Sequence, residues 1–287
     1  MRVGLIGLGR IGTGLRARWL AAGHEVVGYD RVPGLSDVGS LLALVAALPA
    51  PRVCWLMVPA EAVEVVIAEL APLLARGDCM IDGGNSRYDD SVRRGAALAQ
   101  RGIAFLDAGT SGGVEGAERG YCLMVGGVAE SVAAVEPLLR ALAVEGGYAH
   151  VGGPGAGHYV KMVHNAIEYG LLQSYAEGFA LLDRYDEPLD LPAIARLWNR
   201  GSVVRSWLLE LAERALAGDP GLERLRGYVE DSGEGRWAAQ EAVARGVPAN
   251  VLAASLFARF ASRDANSFAM RLVAALRGQF GGHRVER

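Results

Sequence analysis

The sequence predicts an α/β domain built on a parallel sheet, followed by an all-α domain. Three observations carry this. Short runs of branched apolar residues alternate with helical stretches through the first half, and a glycine-rich turn follows the first of these runs at once. Beyond Gly152-Gly-Pro-Gly-Ala-Gly157, nearly every segment repeats its apolar residues at helical spacing.

Residues 2–6 are a compact branched run and read as a buried strand. Gly7-Leu8-Gly9-Arg10-Ile11-Gly12 follows directly, residues 13–22 continue as helix to Gly23, and residues 25–29 form a second strand with Asp30 at its end. A G-x-G-x-x-G string alone is a weak signal. Set in a strand–glycines–helix–strand–acid unit of about thirty residues, it marks dinucleotide binding. Gly7 makes the tight turn, Gly9 lets the backbone approach a pyrophosphate, and Gly12 packs the helix. The helix N-terminus offers unpaired N–H groups to the phosphates. Asp30 is placed to accept from the ribose hydroxyls and to repel a 2′-phosphate, so NAD is favoured and NADP less so. Arg31 beside it tempers that preference.

The alternation continues with strands over residues 52–58, 79–82, 104–107 and 121–125 and helices over 61–75 and 90–100. Such a pattern implies a parallel sheet with helices on both faces, whose ligands bind off the carboxyl ends of the strands. Three loops leave those ends: Val58-Pro59-Ala60, Asp82-Gly-Gly-Asn85-Ser86 and Asp107-Ala-Gly-Thr-Ser111-Gly112-Gly113. The first two add Val58, Pro59 and Asn85 to the cofactor set. Asn85, Ser111, Gly112 and Gly113 offer small side chains and N–H groups suited to a carboxylate or polyol, with an ordinary turn as the equal alternative. Residues 1–155 are thus expected to form a Rossmann-like dinucleotide-binding domain, and residues 156–287 an all-helical substrate and dimerisation domain.

In the second half, helices are expected over residues 161–183, 191–200, 205–217, 222–227, 238–245, 251–261 and 267–278. Asp231-Ser-Gly-Glu-Gly-Arg-Trp237 interrupts them as an anion-binding loop or a plain turn. The central stretch is Lys161-Met-Val-His-Asn-Ala-Ile-Glu-Tyr-Gly170. Lys161, His164, Asn165 and Glu168 stand at i, i+3, i+4 and i+7 and share one helix face. Charges at this spacing ordinarily face water. The same stripe, however, runs on into Leu172, Tyr175 and Phe179, so this face is expected to lie inside, and a buried lysine with a buried glutamate offers a base and an acid.

Bulk properties narrow the classes. The chain has 287 residues, 51% hydrophobic and 21% charged, enough for two globular domains rather than a disordered chain. A net charge of −3 and a pI near 6.0 give no electrostatic reason to expect nucleic acid or an anionic membrane. Cys54, Cys79 and Cys122 have no paired spacing and read as reduced thiols. The most apolar window, residues 53–74, is broken by Pro59, Glu61, Glu64, Glu69 and Pro72 and cannot span a bilayer. The apolar start is too short for a signal peptide. No His/Cys/Asp grouping has metal-ligand spacing. A cytoplasmic protein without a metal is expected.

Taken together, Gly7-Leu-Gly9, Asp82-Gly-Gly-Asn-Ser86, Thr110-Ser-Gly-Gly113, the Lys161–Gly170 stretch, Ser232-Gly-Glu-Gly-Arg-Trp237 and Phe280-Gly-Gly-His283 resemble the decarboxylating 6-phosphogluconate dehydrogenases. The likeness is to their short, NAD-preferring bacterial form. It covers nearly the whole chain, and the central stretch is its specific part. The resemblance implies that Lys161 is the base for oxidation and that Glu168 protonates the decarboxylated product. It has Ser111, Gly112 and Gly113 hold the substrate carboxylate end, while Asn85, His164 and Asn165 orient hydroxyls. Tyr169, Ser232, Arg259, Arg277 and His283 would surround the 6-phosphate of the sugar-phosphate substrate. It also implies a homodimer or homotetramer, because in the family the tail reaches a neighbouring subunit's site. Two positions depart. Longer relatives carry lysine where Ser232 stands, in a Lys-Gly-Thr-Gly loop, and Glu234 replaces the threonine. Two rival readings remain: a β-hydroxyacid dehydrogenase of the hydroxyisobutyrate or tartronate-semialdehyde type, which would not need Glu168, Arg259 and Arg277, and an inactive nucleotide-binding sensor.

Overall fold

The structure is a computed structural model that describes residues 1–32 and 34–281. It divides into two compact units, Met1–His164 and Asn165–Arg287. In the first, β1 (Arg2–Ile6), α1 (Arg10–Ala21), β2 (Glu25–Tyr29), α2 (Leu41–Ala46), β3 (Val53–Leu56), α3 (Ala60–Leu70), β4 (Cys79–Asp82) and α4 (Tyr88–Ala99) alternate. They are followed by β5 (Ala104–Ser111), α5 (Gly116–Arg119), β6 (Tyr121–Gly126), α6 (Ala129–Leu142) and β7 (Ala143–Gly152). The strands form one sheet in the order β2-β1-β3-β4-β5-β6-β7.

The sheet is parallel except at β5–β6, which pair antiparallel with Ser111 opposite Cys122. The expected parallel sheet thus carries one antiparallel pair. Residues 112–120 join the two strands, and a parallel crossover takes a dozen residues or more. β5 also runs on to Ser111, so much of the expected third loop is strand. All residues of β3 and β4 are buried, which is why both read as unbroken apolar runs. Trp19, Trp55 and Leu138 fill one face of the sheet and Leu44, Val63 and Met80 the other. The Trp19 Nε1 donates to the Leu138 carbonyl at 2.9 Å. Burial pushes the Cys54 and Cys79 thiols up to about 12, while Cys122 is exposed.

α7 (Ala156–Asp183) begins in the first unit and runs into the second. There α8 (Leu191–Trp198), α9 (Trp207–Gly218), α10 (Glu234–Arg245), α11 (Asn250–Ala261) and α12 (Phe268–Gly281) follow. Asp190 and Ser206 cap α8 and α9 by accepting from the N–H groups of Ala193 and Leu209. The helix expected over residues 222–227 does not form. The Asp219 carboxylate takes both the backbone N–H and the Nε of Arg224, and Leu222 adopts a φ of 51°, so the segment is a series of turns. The lower stripe of α7 is partly covered: the Tyr175 hydroxyl donates to the Val204 carbonyl at 2.6 Å and Phe179 meets Trp198 edge-on, but Leu172 is exposed. Among the described residues no helix is long and apolar enough to cross a membrane, and no His/Cys/Asp/Glu group could hold a metal.

Candidate active site

The glycine turn has the shape a pyrophosphate needs. Gly7 takes a φ of 98°, and a Cβ there would lie 2.2 Å from the Met57 carbonyl oxygen. A Cβ on Gly12 would lie 2.0 Å from the carbonyl oxygen of Gly7, whereas one on Gly9 would meet nothing within 4 Å. The outer glycines therefore close the turn, and the middle one leaves open space beside its backbone. α1 begins at Arg10 with no side-chain cap, so the first-turn N–H groups of Arg10, Ile11 and Gly12 have no intrahelical acceptor. Leu8 is fixed from below: its N–H donates to Asp30 Oδ2 at 2.7 Å, and the N–H of Val32 donates to Oδ1 at 2.8 Å.

A carboxylate has about four acceptor sites, so Asp30 keeps capacity for a ribose diol. Asp30→Ala should raise KM for NAD by roughly tenfold or more, the worth of hydrogen bonds to a charged group. KM for NADP should rise less, because a repulsive carboxylate is lost at the same time. Equal losses with both cofactors in steady-state assays would mean that Asp30 acts only through the Leu8 loop.

The loops after β3 and β4 converge on this turn. Val58 Cγ1 lies 3.1 Å from where a Cβ of Gly7 would stand, and the Val58 carbonyl oxygen lies 2.9 Å from where a Cβ of Gly84 would stand. Pro59 sits at the N-cap of α3. Asp82, fully buried, accepts from the Gly84 N–H at 3.1 Å and from Ser86 Oγ at 2.6 Å. Arg94 Nη1 donates to Ser86 Oγ at 3.1 Å, and its Nε donates to Glu64 at 2.9 Å. Hydrogen bonds from Arg93 and then Arg94 hold the Glu64 carboxyl down at about 2. This network folds residues 83–86 over Asp82 and leaves Asn85 exposed at the tip.

Lys161 is buried, 7% exposed, because the first turns of α7 rest directly on β5 and β6. No side chain separates them. A Cβ on Gly109 would lie 2.4 Å from Lys161 Cβ, and one on Gly157 would lie 2.4 Å from the Asp107 carbonyl oxygen. One on Gly126 would lie 2.6 Å from Asp107 Oδ1. The buried Asp107 carboxylate then holds the start of the helix. Its Oδ1 accepts from the Gly155 N–H at 2.7 Å and its Oδ2 from the His158 N–H at 2.8 Å. Ser111 Oγ lies 3.4 Å from His164 Nε2, so the Ser111-Gly112-Gly113 loop reaches the lysine's helix. Gly112 and Gly113 take φ values of 134° and 53°, which glycine adopts without strain.

In the second unit, Asn165, Tyr169, Ser232, Glu234 and Arg259 come together. Asn165 Nδ2 donates to Glu234 Oε1 at 3.0 Å, Ser232 Oγ donates to Glu234 Oε2 at 2.6 Å, and the Tyr169 hydroxyl lies 3.4 Å from Ser232 Oγ. The Arg259 guanidinium stacks over the Tyr169 ring, 3.3 Å from its centre, and donates to the Glu230 carbonyl. Two glycines allow this. Gly233 has a φ of 104°, and a Cβ on Gly235 would lie 2.5 Å from the Tyr169 ring.

Not every expected residue joins. Glu168 is only half-buried, which corrects the expectation of a buried glutamate. Arg277 lies exposed on α12, with nothing among the described residues joining it to this cluster. His283 lies outside the described residues. Arg236 does not stand in for the missing lysine, since its Nη2 donates to Asp231 at 2.6 Å. Sequence reasoning missed Asp107, Gly109 and the inward role of Glu234. Asp107 closing a strand before a glycine-rich loop was the one available signal.

Comparison with known proteins identifies the family. The NAD binding domain of 6-phosphogluconate dehydrogenase matches residues 2–152, and the C-terminal domain of 6-phosphogluconate dehydrogenase matches residues 157–270. An NAD(+)-dependent, decarboxylating 6-phosphogluconate dehydrogenase of Haloferax volcanii is 44% identical over 301 residues, covering 100% of this chain and 99% of its own. The 6-phosphogluconate dehydrogenase structure from Plasmodium falciparum superposes with a TM-score of 0.84 at 28% identity, over 100% of this chain and 66% of that longer one. A 3-hydroxyisobutyrate dehydrogenase of Mycobacterium tuberculosis gives a TM-score of 0.73 at 23% identity over 96% of this chain and 99% of its own, a likeness of fold alone. By both domains and by full-length similarity, the chain belongs to the 6-phosphogluconate dehydrogenase family.

Proposed function

We propose that this protein oxidises and decarboxylates 6-phosphogluconate to ribulose 5-phosphate and CO2, with one NAD reduced per turnover. The observation that carries the reading is Lys161, a buried amine seated on the backbone of β5 in the unit that also holds the open glycine turn. Bound NAD supplies the acceptor for the hydride leaving C3. Lys161, in its neutral form, takes the proton of the C3 hydroxyl in that step. The product is a 3-keto acid, whose C1–C2 bond breaks with loss of CO2. The protonated Lys161 returns its proton to the C3 oxygen as the electron pair moves into the enediol. Glu168, reaching solvent, delivers a proton to the former C2, which becomes C1 of the pentulose, and regains one as the hydroxyl on the former C3 becomes the carbonyl. Ser111, Gly112 and Gly113 hold the carboxylate end, Asn85, His164 and Asn165 the hydroxyls, and Tyr169 and Arg259 the phosphate end.

The hydroxyisobutyrate reading explains the fold and Lys161 but assigns nothing to Glu168 or to the stacked Tyr169 and Arg259. A sensor reading gives no use for a buried lysine. We further propose a homo-oligomer. α12 presents Phe268, Met270, Leu272, Val273 and Leu276 to solvent, more large apolar surface than one fourteen-residue helix ordinarily leaves bare. The free thiols suit a reducing, cytoplasmic setting. The test is NADH formation with 6-phosphogluconate beside 3-hydroxyisobutyrate, with CO2 followed in parallel. NADH and CO2 in equal amounts support the reading. NADH without CO2, or turnover of hydroxyisobutyrate alone, overturns it.

A further inference from the structure

Glu234 is a buried carboxylate of the second unit that the proposed chemistry leaves unused. It is 3% exposed, and among the described residues no cation pairs with it. A charge taken out of water is costly unless hydrogen bonds and dipoles compensate it. Glu234 is the first residue of α10, where the helix dipole favours a negative charge, and it accepts from Asn165 Nδ2 at 3.0 Å and from Ser232 Oγ at 2.6 Å. Both contacts constrain their donors. An ionised carboxylate only accepts, so the Asn165 carboxamide must turn its amino group to Glu234 and its Oδ1 the other way. Ser232 has one hydroxyl proton, and that proton lies on Glu234. Toward a ligand Ser232 then presents lone pairs, which suit a hydroxyl and repel a phosphate dianion.

We infer that Glu234 is a positioning residue that sets Asn165 and Ser232 as acceptors for the hydroxyl groups of a polyhydroxy acid, and that Ser232 is no part of a phosphate cradle. The inference rests on the substrate reading above and removes Ser232 from the phosphate end. Gln at position 234 keeps an acceptor for Asn165, whereas Ala keeps none. Glu234→Ala and Asn165→Ala should each lower kcat/KM for 6-phosphogluconate by roughly 30-fold, and the double variant should fall no more than about threefold further, because coupled residues are not additive. Glu234→Gln should recover most of the loss. Inhibition by inorganic phosphate should be the same in Ser232→Ala as in the parent protein. Additive losses near 900-fold in the double variant, on the order of the product of the two singles, would overturn the inference, as would no rescue by Gln or weakened phosphate inhibition in Ser232→Ala.

Urea unfolding of the full-length parent, the two alanine single variants and their double variant separates this result from failure of the substrate reading. Non-additive stabilities with no turnover of 6-phosphogluconate would sink the substrate and keep the Glu234–Asn165 hold. Additive stabilities would sink the hold itself.

Discussion

Lys161→Ala should lower kcat for NADH formation from 6-phosphogluconate by about a thousandfold, the middle of the range for loss of a general base. NAD affinity should stay within about twofold, because no interaction made only in the transition state contributes to binding the cofactor. Truncation leaves the glycine turn untouched, since Lys161 lies on α7 and the turn lies between β1 and α1. Lys161→Arg is the sharper variant. It keeps a positive charge and similar length, but a guanidinium does not give up its proton near neutrality. A base reading therefore expects Lys161→Arg to be as inactive as Lys161→Ala, with NAD titration by fluorescence unchanged in both. Substantial turnover by the arginine variant would make Lys161 an electrostatic partner and assign the proton transfer elsewhere.

Asp107→Ala should cost stability and turnover together. The carboxylate serves two backbone donors, the N–H groups of Gly155 and His158, and both bonds are buried. Leaving a buried donor unpaired costs about 1–3 kcal/mol each, so a loss near 3 kcal/mol is expected, with Tm lower by roughly 10 °C for a unit of this size. Asp107→Asn keeps one acceptor oxygen and should lose about half as much, since only one donor is orphaned. These donors fix the first turn of α7, and Lys161 follows one turn later, so kcat should fall in both variants even at temperatures where they remain folded. Thermal unfolding with NADH assays at 20 °C checks both effects. A stable variant with full kcat would show that the glycine-to-backbone packing seats Lys161 unaided.

The parts of this molecule that were legible in the sequence are those with local causes. The spacing of Gly7, Gly9 and Gly12 follows from the turn they make, and β2 and β4 have the expected limits because their apolar runs are short and sharply bounded. The α6–β7 pair was opaque for equally physical reasons. Pro137 lies inside α6 and reads as a break, and β7 is an edge strand, largely exposed and carrying Gly146 and Gly147, so it has no apolar period. The antiparallel turn from β5 to β6 was readable from its short connection but hidden by the regular alternation before it. Long-range anchoring left no local trace. Nothing near Asp107 announces that its carboxylate will meet residue 155, and nothing near Glu234 announces Asn165, 69 positions away. Glu234, which departs from the family's threonine, is partnered on both oxygens.

The continuity of α7 bears on descent. Contacts divide the molecule between His164 and Asn165, in mid-helix. A gene broken there would leave roughly four carbonyl acceptors unpaired at one new helix end and roughly four N–H donors at the other, with an N-terminal piece, residues 156–164, too short to stay helical unaided. The turn at residues 152–157, where Gly152 and Gly155 have positive φ, is the seam along which recombination does no such damage. Lys161, Asn165, Glu168 and Tyr169 all lie beyond that turn, on one unbroken helix.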